Sequence, residues 1–212
     1  VFGLVSQSDS TTPYLARHVG HYAGVPINTP ALTVNRLCGS GFQAAVTASQ
    51  EIKAGDAEVV LTGGTENMSM SPYTLHGVRF GNTRYGVDLK LADSLAAALT
   101  DQVPVPNPMG ITAENLAEKY GITREQCDQF ALQSQQRWAK GQEEGAFKDE
   151  IVPIEIKSKK GVDVFDTDEH PRPQVNMQTL AKLSPVFKKD GTVTAGNASG
   201  ICDGAAANVV AS

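Results

Sequence analysis

Cys38 stands in the run Asn35-Arg36-Leu37-Cys38-Gly39-Ser40-Gly41, where a short apolar stretch ends and small residues open a helical pattern. A cysteine at such a junction faces the unpaired amides and the positive dipole end of the helix, which favour thiolate over thiol. Gly39 and Gly41 leave room for a substrate to approach sulfur and backbone closely. The chemistry this points to is nucleophilic, with a covalent adduct on Cys38. The competing reading is a buried structural cysteine beside a glycine-rich turn, since free cysteine packs as a small hydrophobe. Other chemistries fare worse. His18 and His21 have the i, i+3 spacing of paired ligands, but no third ligand accompanies them, so no metal site is expected. No Walker loop and no dinucleotide fingerprint occurs. Asn67-Met68-Ser69 and Asn197-Ala198-Ser199 are glycosylation sequons by letter, yet a reduced intracellular protein would not use them.

The elements that must position Cys38 can be read from spacing and turn residues. Thr11-Thr12-Pro13 opens a helix with Leu15, Val19 and Tyr22 on one face, ended by Gly24. Residues 31–35 read as a short buried strand. From Gly39 to Ala54, Phe42, Ala45, Val46 and Ile52 fall at helical spacing, and Gly55 supplies the stop. Residues 58–62 then form a strand closed by Gly63-Gly64. Strand, helix and strand in this order predict a βαβ unit with a parallel sheet. From about residue 67 the texture loosens, with a short helical stretch near 89–99. Thr112 precedes a helix that stops at Gly121. Thr123 and Gln126 form a capping box for the next helix, which places Cys127, Phe130, Ala131, Ser134 and Trp138 on one face. Residues 151–156 resemble an edge strand, because proline is tolerated there. Residues 205–210 are small and apolar, suited to a buried strand that rejoins the first core. No internal repeat is evident.

Composition sets the class. The 212 residues are 41% hydrophobic and 19% charged, with a formal net charge of −5. That is enough chain for a globular core of one large or two small domains. The acidic balance argues against nucleic acid or an anionic membrane as the main partner. Cys38, Cys127 and Cys202 are far apart and odd in number, which speaks against a disulfide framework and for a reducing compartment. No apolar run is long enough to span a membrane. Both ends of the chain look cut, since it opens on Val1-Phe2-Gly3-Leu4-Val5 and ends on Asn208-Val209-Val210-Ala211-Ser212.

Four segments together carry a specific resemblance. Residues 35–44 (Asn-Arg-Leu-Cys-Gly-Ser-Gly-Phe-Gln-Ala) resemble the nucleophile segment of the thiolases. Gly63-Gly64-Thr65-Glu66-Asn67-Met68-Ser69 resembles their Gly-Gly-x-Glu-x-Met-Ser strand end. Met109-Gly110-Ile111-Thr112-Ala113-Glu114-Asn115 is similar to their Met-Gly-x-Thr-Ala-Glu-Asn segment. Thr194-Ala195-Gly196-Asn197-Ala198-Ser199-Gly200, followed by Asp203-Gly204-Ala205-Ala206, is similar to their Thr-Ala-Gly-Asn-Ala-Ser loop. The four lie in family order along nearly the whole chain. Within the family the chain is similar to the 3-ketoacyl-CoA branch of mitochondrial fatty-acid β-oxidation.

The resemblance implies an α/β, thiolase-like fold with a layered α-β-α-β-α core. Only the N-terminal core half and the inserted loop domain are expected here. Residues 1–66 would be the partial core with Cys38, 67–200 the loop domain for coenzyme A and oligomer contacts, and 201–212 a strand returning to the core. The C-terminal domain would lie outside the chain. The implied activity is an acyltransferase that cleaves 3-ketoacyl-CoA with CoA through an acyl-Cys38 intermediate. CoA is then a co-substrate, with no permanently bound cofactor. Arg172, in His170-Pro171-Arg172-Pro173, matches an arginine against the CoA nucleotide, and Ser199 a serine near the pantetheine arm. Met109, Phe187 and Ala195 match apolar pantetheine contacts. Val175 replaces a threonine of close relatives, which removes one hydroxyl contact. Pro108 replaces a histidine of the short-chain acetoacetyl-CoA enzymes, which favours broad chain length. The family's Gly-His-Pro histidine, its second cysteine and its Asn-Glu-Ala-Phe segment do not occur among these residues, so the partial chain is expected to be inactive alone. Acyl-CoA, CoA and copies of itself in a homodimer or homotetramer are the implied partners. The implied location is the mitochondrial matrix in a eukaryote and the cytoplasm in a bacterium. A biosynthetic acetyl-CoA acetyltransferase and a non-catalytic CoA-binding or oligomerisation fragment are the alternatives.

Overall fold

The small and apolar runs near both ends of the chain meet in one sheet. The computed structural model describes residues 1–81 and 83–212. Its strands are β1 (Phe2–Gly3), β2 (Thr33–Val34), β3 (Val59–Asn67), β4 (Tyr73–Leu75), β5 (Leu91–Asp93), β6 (Thr100–Asp101), β7 (Asn107–Pro108), β8 (Ile154–Ser158), β9 (Gly161–Phe165) and β10 (Asp203–Ala211). Its α-helices are α1 (Leu15–Tyr22), α2 (Ser40–Ala54), α3 (Ser94–Ala98), α4 (Met109–Tyr120), α5 (Arg124–Glu143) and α6 (Met177–Ala181). Contacts divide the chain into two compact units, Val1–Pro106 with Ile201–Ser212, and Asn107–Gly200. This break in packing at Pro106 and the change of texture near residue 66 are different boundaries.

The first unit is built on a four-stranded sheet of order β10-β3-β1-β2. β1 runs parallel to both β2 and β3, and β10 runs antiparallel to β3 from Asp203↔Asn67 to Ala211↔Val59. The chain from β2 through α2 to β3 is the expected parallel crossover, with β1 between its two strands. The returning strand joins the sheet of Val59–Leu61, as the sequence predicts. Its apolar residues are exposed, however, except Val210, which is half-buried.

Helix α2 packs on β3 and β1 through a stripe of small residues, Ser40, Ala44 and Ala48, all buried. The sequence predicts Phe42, Ala45, Val46 and Ile52 for this face; Phe42 is instead 77% exposed. The helix lies too close to the sheet for bulky side chains. A Cβ on Gly3 would collide with the backbone of Ser40 and Gly41, and one on Gly64 would stand 3.3 Å from Gly41 Cα. Gly63-Gly64 does not end the strand either. β3 runs on to Asn67, and Gly63 is needed because a Cβ there would come 2.7 Å from the Phe2 ring and 3.0 Å from Ala207 Cα. Gly55, at φ 82°, does end α2 as expected.

Other helices depart from the periodic reading in similar ways. α1 buries Ala16, while Tyr22 is exposed. The stretch near 89–99 is split into β5 and α3, with Asp93 Oδ1 capping the amides of Leu95 and Ala96 at 2.9 and 3.3 Å.

In the second unit α4 starts at Met109 rather than after Thr112, whose hydroxyl accepts from Asn107 Nδ2 at 3.0 Å. Gly121 ends it in the left-handed conformation. The capping box of α5 is formed as predicted: Gln126 N donates to Thr123 Oγ1 at 3.2 Å and Thr123 N to Gln126 Oε1 at 2.8 Å. Its buried face centres on Asp128 and not on Phe130, which is exposed. Pro153 lies just before β8, which pairs with β9 in an antiparallel hairpin that periodicity did not reveal.

Gly3→Ala should lower the protein's urea midpoint by the equivalent of about 1–3 kcal/mol, the cost of overpacking. Gly41→Ala, where an added methyl meets open space, should stay within about 0.5 kcal/mol. Equal losses in both variants would refute the close approach of α2 to the sheet.

Candidate active site

Cys38 is exposed at the crest of the turn that leads into α2. The turn is fixed by short polar side chains. Asn35 Oδ1 accepts from Leu37 N at 3.0 Å, and Asn35 Nδ2 donates to Val5 O at 3.3 Å. Ser40 Oγ accepts from Arg36 N at 2.9 Å and donates to Leu37 O at 2.6 Å. Leu37 O also accepts from Ser40 N at 2.9 Å, and Arg36 O from Gly39 N at 3.1 Å. Together these bonds hold Leu37 at φ 48°, a left-handed conformation that a leucine adopts only when its surroundings impose it.

One more group braces this turn, and a second ties together the strands beside it. Arg36 Nη1 donates to Gln43 Oε1 on α2 at 2.8 Å. Both Glu66 oxygens accept backbone amides, from Val5 and Ser6 at 3.0 Å each, and so join the end of β3 to the exit of β1. Sequence reading missed the roles of Asn35, Ser40 and Glu66. An Asn two residues before a turn is a recognisable Asx signal; nothing local marks the partners of Glu66, about sixty residues away.

In the second unit the structure brings the other predicted residues into neighbouring segments. Met109 opens α4 and is exposed, and the Phe187 ring packs so closely on Gly110 that a Cβ there would come within 2.2 Å of its ring atoms. Arg172 is exposed, with Nη1 turned onto its own chain, donating to the carbonyls of Glu169, His170 and Pro171 at 2.6, 2.8 and 2.9 Å. Ala195 and Ser199 are exposed on the loop 192–200. The His170 ring packs against Gly200, so the Arg172 turn and the Ser199 loop adjoin.

The loop is held by Glu114, 3% exposed on α4. Its carboxylate accepts from Thr192 N at 2.8 and 2.9 Å, from Thr192 Oγ1 at 3.0 Å and from Val193 N at 2.8 Å. Burial is the largest single influence on this carboxyl and raises its pKa. The donors of Thr192 and Val193, with the charge of Lys188, together outweigh it and hold the value below the ordinary 4.5.

Cys127 is half-buried and Cys202 exposed; neither belongs to the Cys38 turn. No cluster of three metal-ligating side chains forms among the described residues, and no helix of the described residues is long and apolar enough to cross a membrane. A cleft of about 590 Å³ in the first unit lies between α1 and the sheet, lined by Ala16, Gly20, Val25, Val60 and Leu61; Cys38 is not part of it.

The chain belongs to the thiolase family: the model of the thiolase N-terminal domain matches residues 1–212. It is 61% identical over 212 residues to the mitochondrial 3-ketoacyl-CoA thiolase of Mus musculus, covering 100% of this chain and 53% of that protein. The crystal structure of human mitochondrial 3-ketoacyl-CoA thiolase superposes with a TM-score of 0.95 at 59% identity, over 100% of this chain and 53% of that one. The same human enzyme in complex with CoA gives 0.93 at 58% identity, over 100% and 52%. The chain therefore spans about half the length of the relatives it matches.

Glu114→Gln should cost about 2–4 kcal/mol at neutral pH, because an amide cannot accept from all three donors that converge on the buried carboxylate. The folded pKa is depressed, so the carboxylate's contribution is complete above the unfolded value of 4.5 and is lost as pH falls through the lower folded value. Urea midpoints measured against pH should show the gap between wild type and variant closing below pH 4.5.

Proposed function

We propose that this chain is the nucleophile-bearing half of a 3-ketoacyl-CoA thiolase, an acetyl-CoA C-acyltransferase of fatty-acid β-oxidation. The observation that carries the reading is Cys38 itself, exposed at the head of α2 on a turn that the side chains of Asn35 and Ser40 hold in place. Its sulfur attacks the C3 ketone carbon of a 3-ketoacyl-CoA. The C2–C3 bond breaks, its electron pair takes a proton at C2, and acetyl-CoA leaves. The shortened acyl chain remains on Cys38 as a thioester. The thiol of a second CoA gives up its proton and attacks that thioester carbon, releasing acyl-CoA and restoring Cys38. Dividing one difficult displacement between two easier ones is the gain of a covalent intermediate. The proton transfers fall to a histidine and a second cysteine that the family supplies from its other half.

In this reading residues 1–66 and 201–212 contribute to the core, and 67–200 form the loop domain that binds CoA. Arg172 meets the nucleotide, Ser199 the pantetheine arm, and Met109, Phe187 and Ala195 its apolar stretch. The exposure of all five supports this assignment. The whole protein acts as a homodimer or homotetramer. It works in the mitochondrial matrix if its source is a eukaryote, as the names of its relatives suggest, and in the cytoplasm if bacterial.

The test is acyl trapping on the whole protein. Incubation with a 3-ketoacyl-CoA of medium chain length and no added CoA should leave the shortened acyl group on the peptide containing Cys38, seen by mass spectrometry. Cys38→Ser should abolish the adduct and lower turnover by roughly 10⁴-fold or more. Residues 1–212 expressed alone should show no turnover, since each missing proton-transfer group is worth about 10²–10⁴-fold. An adduct on Cys127 or Cys202 in place of Cys38 would overturn the assignment, and preference for acetoacetyl-CoA would move it to the acetyl-CoA acetyltransferases.

A further inference from the structure

One face of α5 reaches out to both segments that carry the proposed CoA contacts. Asp128, 2% exposed, accepts from Asn197 Nδ2 at 2.8 Å and from Arg124 Nε at 2.9 Å. Asn197 in turn closes its own loop: Oδ1 accepts from Thr194 N at 2.8 Å, and Nδ2 donates to Thr192 O at 2.8 Å. The turn 194–197, which bears Ala195 and leads into Ser199, thus hangs from a buried carboxylate. Two helical turns further along α5, Gln135 Oε1 accepts from Arg172 N at 2.7 Å. One turn beyond that, Trp138 Nε1 donates to Asp168 at 3.3 Å.

We infer that Asp128 and Gln135 are positioning residues for coenzyme A. Asp128 sets the loop that meets the pantetheine arm, and Gln135 sets the backbone of the arginine that meets the nucleotide. The inference rests on the reading of Arg172, Ala195 and Ser199 as CoA contacts. A buried carboxylate is costly to keep unless its bonds are needed. Here one of the two donors comes from the loop, 69 residues away, and ties that loop to the helix. Gln135 is chemically suited to the same task, since it gives an exposed turn one directed acceptor on a rigid helix.

The test compares CoA with pantetheine, which lacks the nucleotide, as acyl acceptors for the whole protein. Asp128→Asn keeps the shape but cannot accept from both Asn197 and Arg124. It should raise KM for both acceptors roughly tenfold, with kcat within about threefold. Gln135→Ala should raise the ratio of the CoA to the pantetheine KM by about fivefold. Loss of folded protein alone would lower kcat and leave both KM values where they were; that result overturns the inference. If Asp128→Asn does not fold, the Gln135→Ala ratio decides the question on its own. A wild-type protein that transfers no acyl group to CoA at all overturns the functional reading and this inference with it, an outcome distinct from unchanged KM values in active variants.

Discussion

The approach of α2 to the sheet is the constraint on which the first unit depends. It is possible only because Gly3 and Gly64 present no side chains at the crossing and because Ser40, Ala44 and Ala48 line the helix face. At this separation the N-terminal turn of the helix is level with the exits of β1 and β3. Asn35 can then reach Val5, and Glu66 can gather the amides of Val5 and Ser6. The Cys38 turn inherits its rigidity from these contacts. Larger residues at the crossing would push the helix away and leave Leu37 without the bonds that offset its unfavourable backbone angle.

The second unit solves a different problem, that of giving shape to a loop with little regular structure of its own. Two buried carboxyl side chains on successive helices do so. Glu114 on α4 collects the amides of Thr192 and Val193, and Asp128 on α5 holds Asn197. Arg124 completes the arrangement by donating to Asp128 and to the carbonyls of Leu180 and Leu183, which bind α6 to α5. Leu180 and Leu183 then fill the space beside Gly196. Charge-assisted bonds suit this use because they are stronger and more directional than the apolar contacts that a nine-residue loop could make.

A sequon at Asn197 and a segment of family motif at Glu114 were visible as letters, but their physical work was not. Asn197 is the hinge of a buried network, and its amide is fully committed. Glu114 reads as an ordinary helix-surface residue until its partners, 78 residues distant, are placed against it. Arg172 was legible as a cation in a charged turn; that its own Nη1 braces that turn was not.

What the sequence determined by itself is the set of features governed by a few adjacent residues. Gly55 and Gly121 stop their helices because only a left-handed residue fits there, and Thr123 with Gln126 caps α5 within a single turn. The crossover around Cys38 and the return of the last strand also followed from the order of apolar runs. Tertiary structure decided which helix face is buried, whether Gly63-Gly64 ends a strand or lets it pass, and which carboxylates hold which loop. Periodicity reports an average apolar direction, and it favoured Phe42. The gap that the helix must fill is set by side chains on other elements, and at the sheet crossing it admits nothing larger than the small stripe from Ser40 to Ala48.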